Sequence, residues 1–131
     1  MNANLQIGKP AVLRAVAVPT SSYVACTNLL SMDGSSNAVA LEIIYTKGDE
    51  TSLQVKLEVS NDGGTTYTQQ VAESTSSGTV TVALAERSFS ATGNYALFIT
   101  PIKGLLVKIS VKATGGTPTG TVGVRGFPTW V

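Results

Sequence analysis

Lys108 and Ser110 stand two residues apart in LVKISVK, so on an extended chain they share a side, as a Ser–Lys nucleophile pair would need. Lys112 falls on the same side, and an outward Lys/Ser/Lys row is the ordinary make-up of a wetted strand. Glu42 and Glu58 occupy outward positions on strands expected to be neighbours, and two carboxylates about 5–10 Å apart are what glycoside hydrolysis requires. Lys56 lies beside them in the same row, which makes a solvated charge mosaic the better account of all three. Asp and Glu number only 8 and are dispersed, and the chain has no histidine. Without that base and ligand, no Ser-His-Asp or Cys-His arrangement can be assembled. An enzyme is not expected, and no cofactor is implied.

Loop acids offer a second kind of chemistry. Asp49-Glu50 and Asn61-Asp62 could contribute oxygen ligands to calcium. Asp62-Gly63-Gly64 reads first as turn chemistry, with Asp capping its own backbone and Gly taking positive φ at little cost. The glycine-rich run Thr114–Gly120 lacks the G-K-[ST] ending and following helix of a phosphate loop. Phe127 and Trp130 are aromatic enough to stack on sugar rings, although burial against this or a neighbouring subunit is the simpler use. No metal site is assigned.

Composition narrows the classes further. With 131 residues, 43% hydrophobic and only 13% charged, the chain is one domain with enough grease for a core and little charge for its surface. Its net charge of +1 provides no basic groove for nucleic acid and no attraction to an anionic membrane. The lone Cys26 cannot form an internal disulfide and reads as a small buried side chain. Met1-Asn2-Ala3-Asn4 does not open a basic-then-apolar leader, and no apolar run approaches the ~20 residues of a membrane helix. Assembly in a host cytoplasm is the expectation.

The elements that must carry these residues alternate with a period of two. Leu41, Ile43 and Tyr45 share a face, Lys47-Gly48-Asp49-Glu50 interrupts, and Leu53, Val55, Leu57 and Val59 resume. With Thr65–Gln70 this predicts a three-stranded meander of hairpins. Upstream, Ala11–Val18 carries apolar residues on both sides with Arg14 among the valines, as in a strand covered twice or an edge covered by another subunit. Tyr23–Leu30 is a weaker strand. Downstream, Thr79–Leu84 alternates, Ala85–Gly93 turns a corner, and Asn94–Thr100 is apolar enough for a central, doubly covered strand. Leu105–Ala113 points Leu105, Val107, Ile109 and Val111 inward, and Thr121–Phe127 ends the series. The expected fold is all-β, an antiparallel β-sandwich of jelly-roll type, with a closed up-and-down barrel as the second choice. Residues 1–10 form an extended N-terminal arm, 11–127 the sandwich, and 128–131 a C-terminal tail.

The stretch S-N-D-G-G-T-T-Y at 60–67, its preceding strand and KGDE turn, and the later V-K-I-S-V-K-A-T-G-G-T-P-T-G-T-V resemble small virion structural proteins of tailed bacteriophages. The likeness runs in pattern over 38–127 and resides in turns and strands. It implies a non-enzymatic structural protein, first of all a capsid decoration protein that cements an assembled shell. Its partners would then be itself, as a homo-oligomer, and a major capsid or other virion protein, with no nucleic acid and no membrane. The interface residues expected on this reading are Leu5 and Ile7 in the arm, Arg14, and Phe127 with Trp130. The alternative is a carbohydrate- or receptor-binding module of a tail or baseplate, which needs Tyr23, Tyr45 or Tyr95 to point outward.

Overall fold

Strict alternation produces strands with one greasy side, and such strands are stable only when that side is covered. The computed structural model describes residues 11–32, 36–76, 79–84 and 86–130, and it covers those sides by facing two antiparallel sheets. In the first sheet the order is β1 (Ala11–Ala17), β12 (Thr121–Thr129), β4 (Ala38–Thr46), β10 (Gly93–Ile99). In the second, β2 (Val24–Ala25), β11 (Leu106–Thr114), β5 (Ser52–Ser60) and β6 (Thr68–Gln69) are joined by β3 (Leu30–Ser31) on β11 and β9 (Glu86–Phe89) on β5. The hairpin of β7 (Val71–Ser76) and β8 (Thr79–Leu84) pairs within itself. The fold is an all-β antiparallel sandwich.

The pairings nest. β1 pairs β12, β2 and β3 pair β11, β4 pairs β10 and β5 pairs β9. The chain thus runs as one long hairpin from its two ends inward. That hairpin is rolled until β12 also pairs β4 and β11 also pairs β5.

Between the sheets lie Leu13, Val39, Leu41, Ile43, Tyr45, Leu53, Val55, Leu57, Val107, Ile109, Val111, Val122 and Val124, all buried. Each such aliphatic side chain contributes about 1.5–3 kcal/mol. Cys26 sits in this core, as its type predicts, and burial pushes its thiol up to about 11 against the opposing pull of the Arg14 charge.

Several expectations from the sequence are corrected. The stretch 41–70 is not a meander: β4 belongs to the first sheet and β5 to the second. Alternation marks which residues face the core, but it is the same whether a turn folds back within a sheet or crosses to the opposite one. Tyr23–Leu30 contributes only the short strands β2 and β3. The corner at 85–93 contains β9, which pairs β5. The apolar run 94–100 is not central; it forms β10 at the edge of the first sheet. Finally, β12 keeps Pro128 and Thr129 in register with Val39 and Ala38, so the chain stays in the sheet beyond 127.

Candidate functional site

The turn at Lys47–Thr51 that carries the chain between the sheets is held by Glu50. Its side chain is fully buried. Oε2 accepts the Tyr45 hydroxyl at 2.6 Å and the Gly48 N–H at 2.9 Å, while Oε1 accepts the N–H groups of Thr119 and Gly120 at 3.0 Å each. Burial raises the carboxyl pKa, but these donors together outweigh it and hold the group well below the usual carboxylate range. Glu50 therefore ties the β4–β5 crossing to the β11–β12 turn. Both oxygens expected as candidate calcium ligands are committed to protein donors. Asp62 behaves as turn chemistry requires: Oδ1 accepts the Ser60 hydroxyl at 2.8 Å and the N–H groups of Thr65 and Thr66 at 3.1 and 2.9 Å. Gly63 and Gly64 follow with φ of 78° and 95°. The Thr66 and Ser60 bonds lead in lowering the Asp62 carboxyl to about 2.

The paired-carboxylate arrangement does not form, because the crossing at Glu50 puts the two strands on opposite sides of the sandwich. Glu42 on β4 meets Arg125 on β12, Oε1 to Nη2 2.7 Å. Glu58 on β5 lies 3.8 Å from Lys56 Nζ and 3.6 Å from Lys108 Nζ on the second sheet. There, Lys56 and Lys112 also cover the ring of Tyr23 at 4.5 and 4.7 Å, and Lys108 covers Tyr67 at 4.4 Å. The Lys/Ser/Lys row is part of this charged mosaic.

The outer face of the first sheet has a different chemistry. Outward positions bring Val12 and Val16 from β1, Ala40 and Ile44 from β4, Ala96 and Phe98 from β10, and Phe127 from β12 to one side. Val12, Val16 and Phe98 are 53%, 60% and 55% exposed. A groove of about 410 Å³ runs along this face, walled by Ala40, Ala96, Phe98 and Phe127 and crossed by the Glu42–Arg125 pair. Val16 lies over Gly123, where a Cβ would stand 2.7 Å from Val16 Cγ2, so the absent side chain lets the valine rest on the sheet. Apolar side chains gathered on one exposed sheet face make it the candidate surface for contact.

The residues expected at an interface have separate fates. Leu5 and Ile7 lie outside the described residues. Arg14 turns back on its own strand and its neighbour: Nε donates to the Val122 carbonyl at 3.2 Å, and Nη2 to those of Ala17 and Val18 at 3.4 and 3.2 Å. Phe127 is part of the groove, and Trp130 follows β12 half exposed. Of the tyrosines a sugar site would need, Tyr45 is in the core and Tyr95 stacks on Phe89 at 4.3 Å. Tyr23 donates to Glu86 at 2.9 Å beneath its two lysines. Sequence reasoning did not single out Val12, Val16, Ala96 and Phe98. The signal was present as apolar residues on both sides of β1, which fit an edge covered by another subunit as well as a doubly covered strand, and of β10, which reads as a central strand.

No protein-family model matches the chain, and no curated protein matches it. Among solved structures, one described as "Bacillus endospore appendages form a novel family of disulfide-linked pili" is similar at 9% identity and a TM-score of 0.48, over 93% of this chain and 88% of that one.

Proposed function

We propose that this chain is a non-enzymatic virion structural protein, a capsid decoration protein that cements an assembled shell through the outer face of its first sheet. The observation that carries the reading is that face: valines, alanines and phenylalanines around one ion pair, while the second sheet's outer face carries Lys56, Glu58, Lys108 and Lys112. Cementing works by many modest contacts. Apolar area buried at about 25 cal/mol per Å² on each copy is multiplied over every copy on the shell. Two further points support the reading. The nested strand order fits the jelly-roll arrangement that viral capsid and lectin domains use, which supports the reading. The pattern over residues 38–127 resembles small virion structural proteins of tailed phages.

The test is made on particles of the phage whose genome encodes the chain. Gradient-purified virions should contain the protein in many copies. Particles lacking it should release their DNA at a lower temperature, and added pure protein should restore them. Absence of the protein from purified virions ends the proposal.

One observation favours a second reading, a carbohydrate- or receptor-binding module of a tail or baseplate. The groove places Phe98 and Phe127 beside a charged pair able to bond hydroxyls. Strong glycan-array binding lost in Phe127→Ala would put this reading first.

A further inference from the structure

A sheet edge presents unpaired N–H and C=O groups, and proteins blunt their edges to prevent uncontrolled pairing. Of the four edges of the two facing sheets, three are blunted among the described residues. β1 has register shifts between Val12 and Arg14 and between Arg14 and Ala17, and Arg14 covers the carbonyls of Ala17 and Val18. The second sheet ends in strands of 2 to 4 residues, β2 and β3 on one side and β6 and β9 on the other. β10 has none of these devices. It is 7 residues long, GNYALFI, without charge or proline, and pairs β4 in unbroken register from Gly93–Tyr45 to Ile99–Val39. Among the described residues no strand pairs its other side.

We infer that β10 pairs with β10 of a second copy, antiparallel about a two-fold axis at Ala96, and continues the first sheet across both subunits. The sequence of β10 is complementary to itself in that register. Its small end, Gly93-Asn94, meets the large end, Phe98-Ile99, of the partner strand. Tyr95 stands opposite the partner's Leu97, and Ala96 opposite the partner's Ala96. No like charges face each other, because the strand has none. On the outer face each exposed Phe98 covers the partner's Asn94 beside paired alanines, so the two apolar faces join into one. A two-fold contact is the commonest way for a soluble subunit to close on itself, and strand addition at a free edge uses main-chain bonds already aligned by the sheet.

The inference is independent of the virion reading, since a monomer could cement a shell through its face with β10 unpaired. Light scattering on the full chain should give a dimer. Ala96→Lys sets two ammonium groups opposite each other on the solvent side and should weaken the dimer at least about tenfold with an unchanged circular dichroism spectrum. In Ala96→Cys, Cα atoms about 4.5–5.5 Å apart across the axis fall within disulfide range, so mild oxidation should yield covalent dimers. Cys26, being buried, serves as the internal control. A wild-type chain that stays monomeric at all concentrations overturns the pairing. So does a dimer indifferent to Ala96→Lys that fails to cross-link through Ala96→Cys. A dimer lost on deleting residues 1–9, with no cross-link at 96, would mean that β10 accepts a lent segment instead, and also overturns it.

Discussion

On the outer side of the second sheet, β5 and β11 present Gln54, Lys56, Glu58, Lys108 and Lys112, and the tyrosines there lie under lysine ammonium groups. On the outer side of the first sheet, the corresponding rows present Ala40, Ile44, Ala96, Phe98 and Val16, and their charges among the described residues are Glu42 and Arg125, which pair at 2.7 Å. The inner sides of both sheets are equally apolar, so the difference is not one of folding need. A sheet face with long charged side chains is finished in water: the stems cover apolar surface and the heads stay hydrated. A face of alanine, valine and phenylalanine leaves that surface wet, and contact with another molecule would bury it. On the proposed function, the two sheets of one sandwich would separate the work, one facing water and the other facing the shell.

Both faces depend on the crossing that separates them, so the largest expected effect lies at neither. Glu50→Ala leaves the Tyr45 hydroxyl and three N–H groups without their acceptor in a buried site. It should cost about 3–5 kcal/mol in urea denaturation. Gly120→Ala should approach this, since its Cβ would collide with the Thr46 carbonyl and Glu50 Oε2. Acid provides the same test without mutation. The Glu50 carboxyl is lowered relative to the unfolded chain, so its stabilisation is complete above the unfolded value of about 4.3 and is lost as pH falls toward the folded one. Asp62, lowered to about 2, adds a loss of the same sign between about 4 and 2. Glu50→Gln should flatten the acid limb of a stability–pH curve. A limb unchanged in that variant would show that the carboxylate does not hold the crossing.

The next effect separates the faces. Val16 is exposed on β1, far along the sheet from β10, and its replacement by Asp should change folding stability by no more than about 0.5 kcal/mol. Shell binding should nevertheless weaken about 30-fold, as expected for about 2 kcal/mol lost at a desolvated contact. Retained binding in Val16→Asp would move the attachment surface elsewhere on the molecule.

Much of this fold could be read from residue order. The inner rows of β4, β5, β11 and β12 are clean alternations, and Tyr45 lies inward as its neighbours require. The partition into two sheets was not legible, because KGDE has the composition of a tight turn and here crosses between layers. Only the buried carboxylate tells the two apart, and two of its four donors come from Thr119 and Gly120, distant in the chain. A clue lay in Tyr45 itself: an inward hydroxyl needs a partner, and Glu50 follows closely enough to supply one. The candidate surface was hidden by an ambiguity of another kind. Apolar residues on both sides of a strand mean that both sides are covered, but not by what. For β10 the run NYALFIT has the composition of a central strand, whereas its outward residues Ala96 and Phe98 meet solvent in the single chain.

The smallest effect belongs to the finished face. Lys108 sits 3.6 Å from Glu58 and 4.4 Å from the Tyr67 ring, yet both contacts are close to water. Ion pairs at such sites are worth about 0.2–1 kcal/mol and exposed cation–π contacts about 0.5–1 kcal/mol. Lys108→Gln should therefore lower stability by less than about 1 kcal/mol, with part of the loss vanishing in high salt as the ion pair is screened. Because the charged face is complete in itself, the substitution should leave shell binding unchanged. A binding defect in Lys108→Gln as large as that of Val16→Asp would show that both faces attach, and the division of labour between the sheets would not hold.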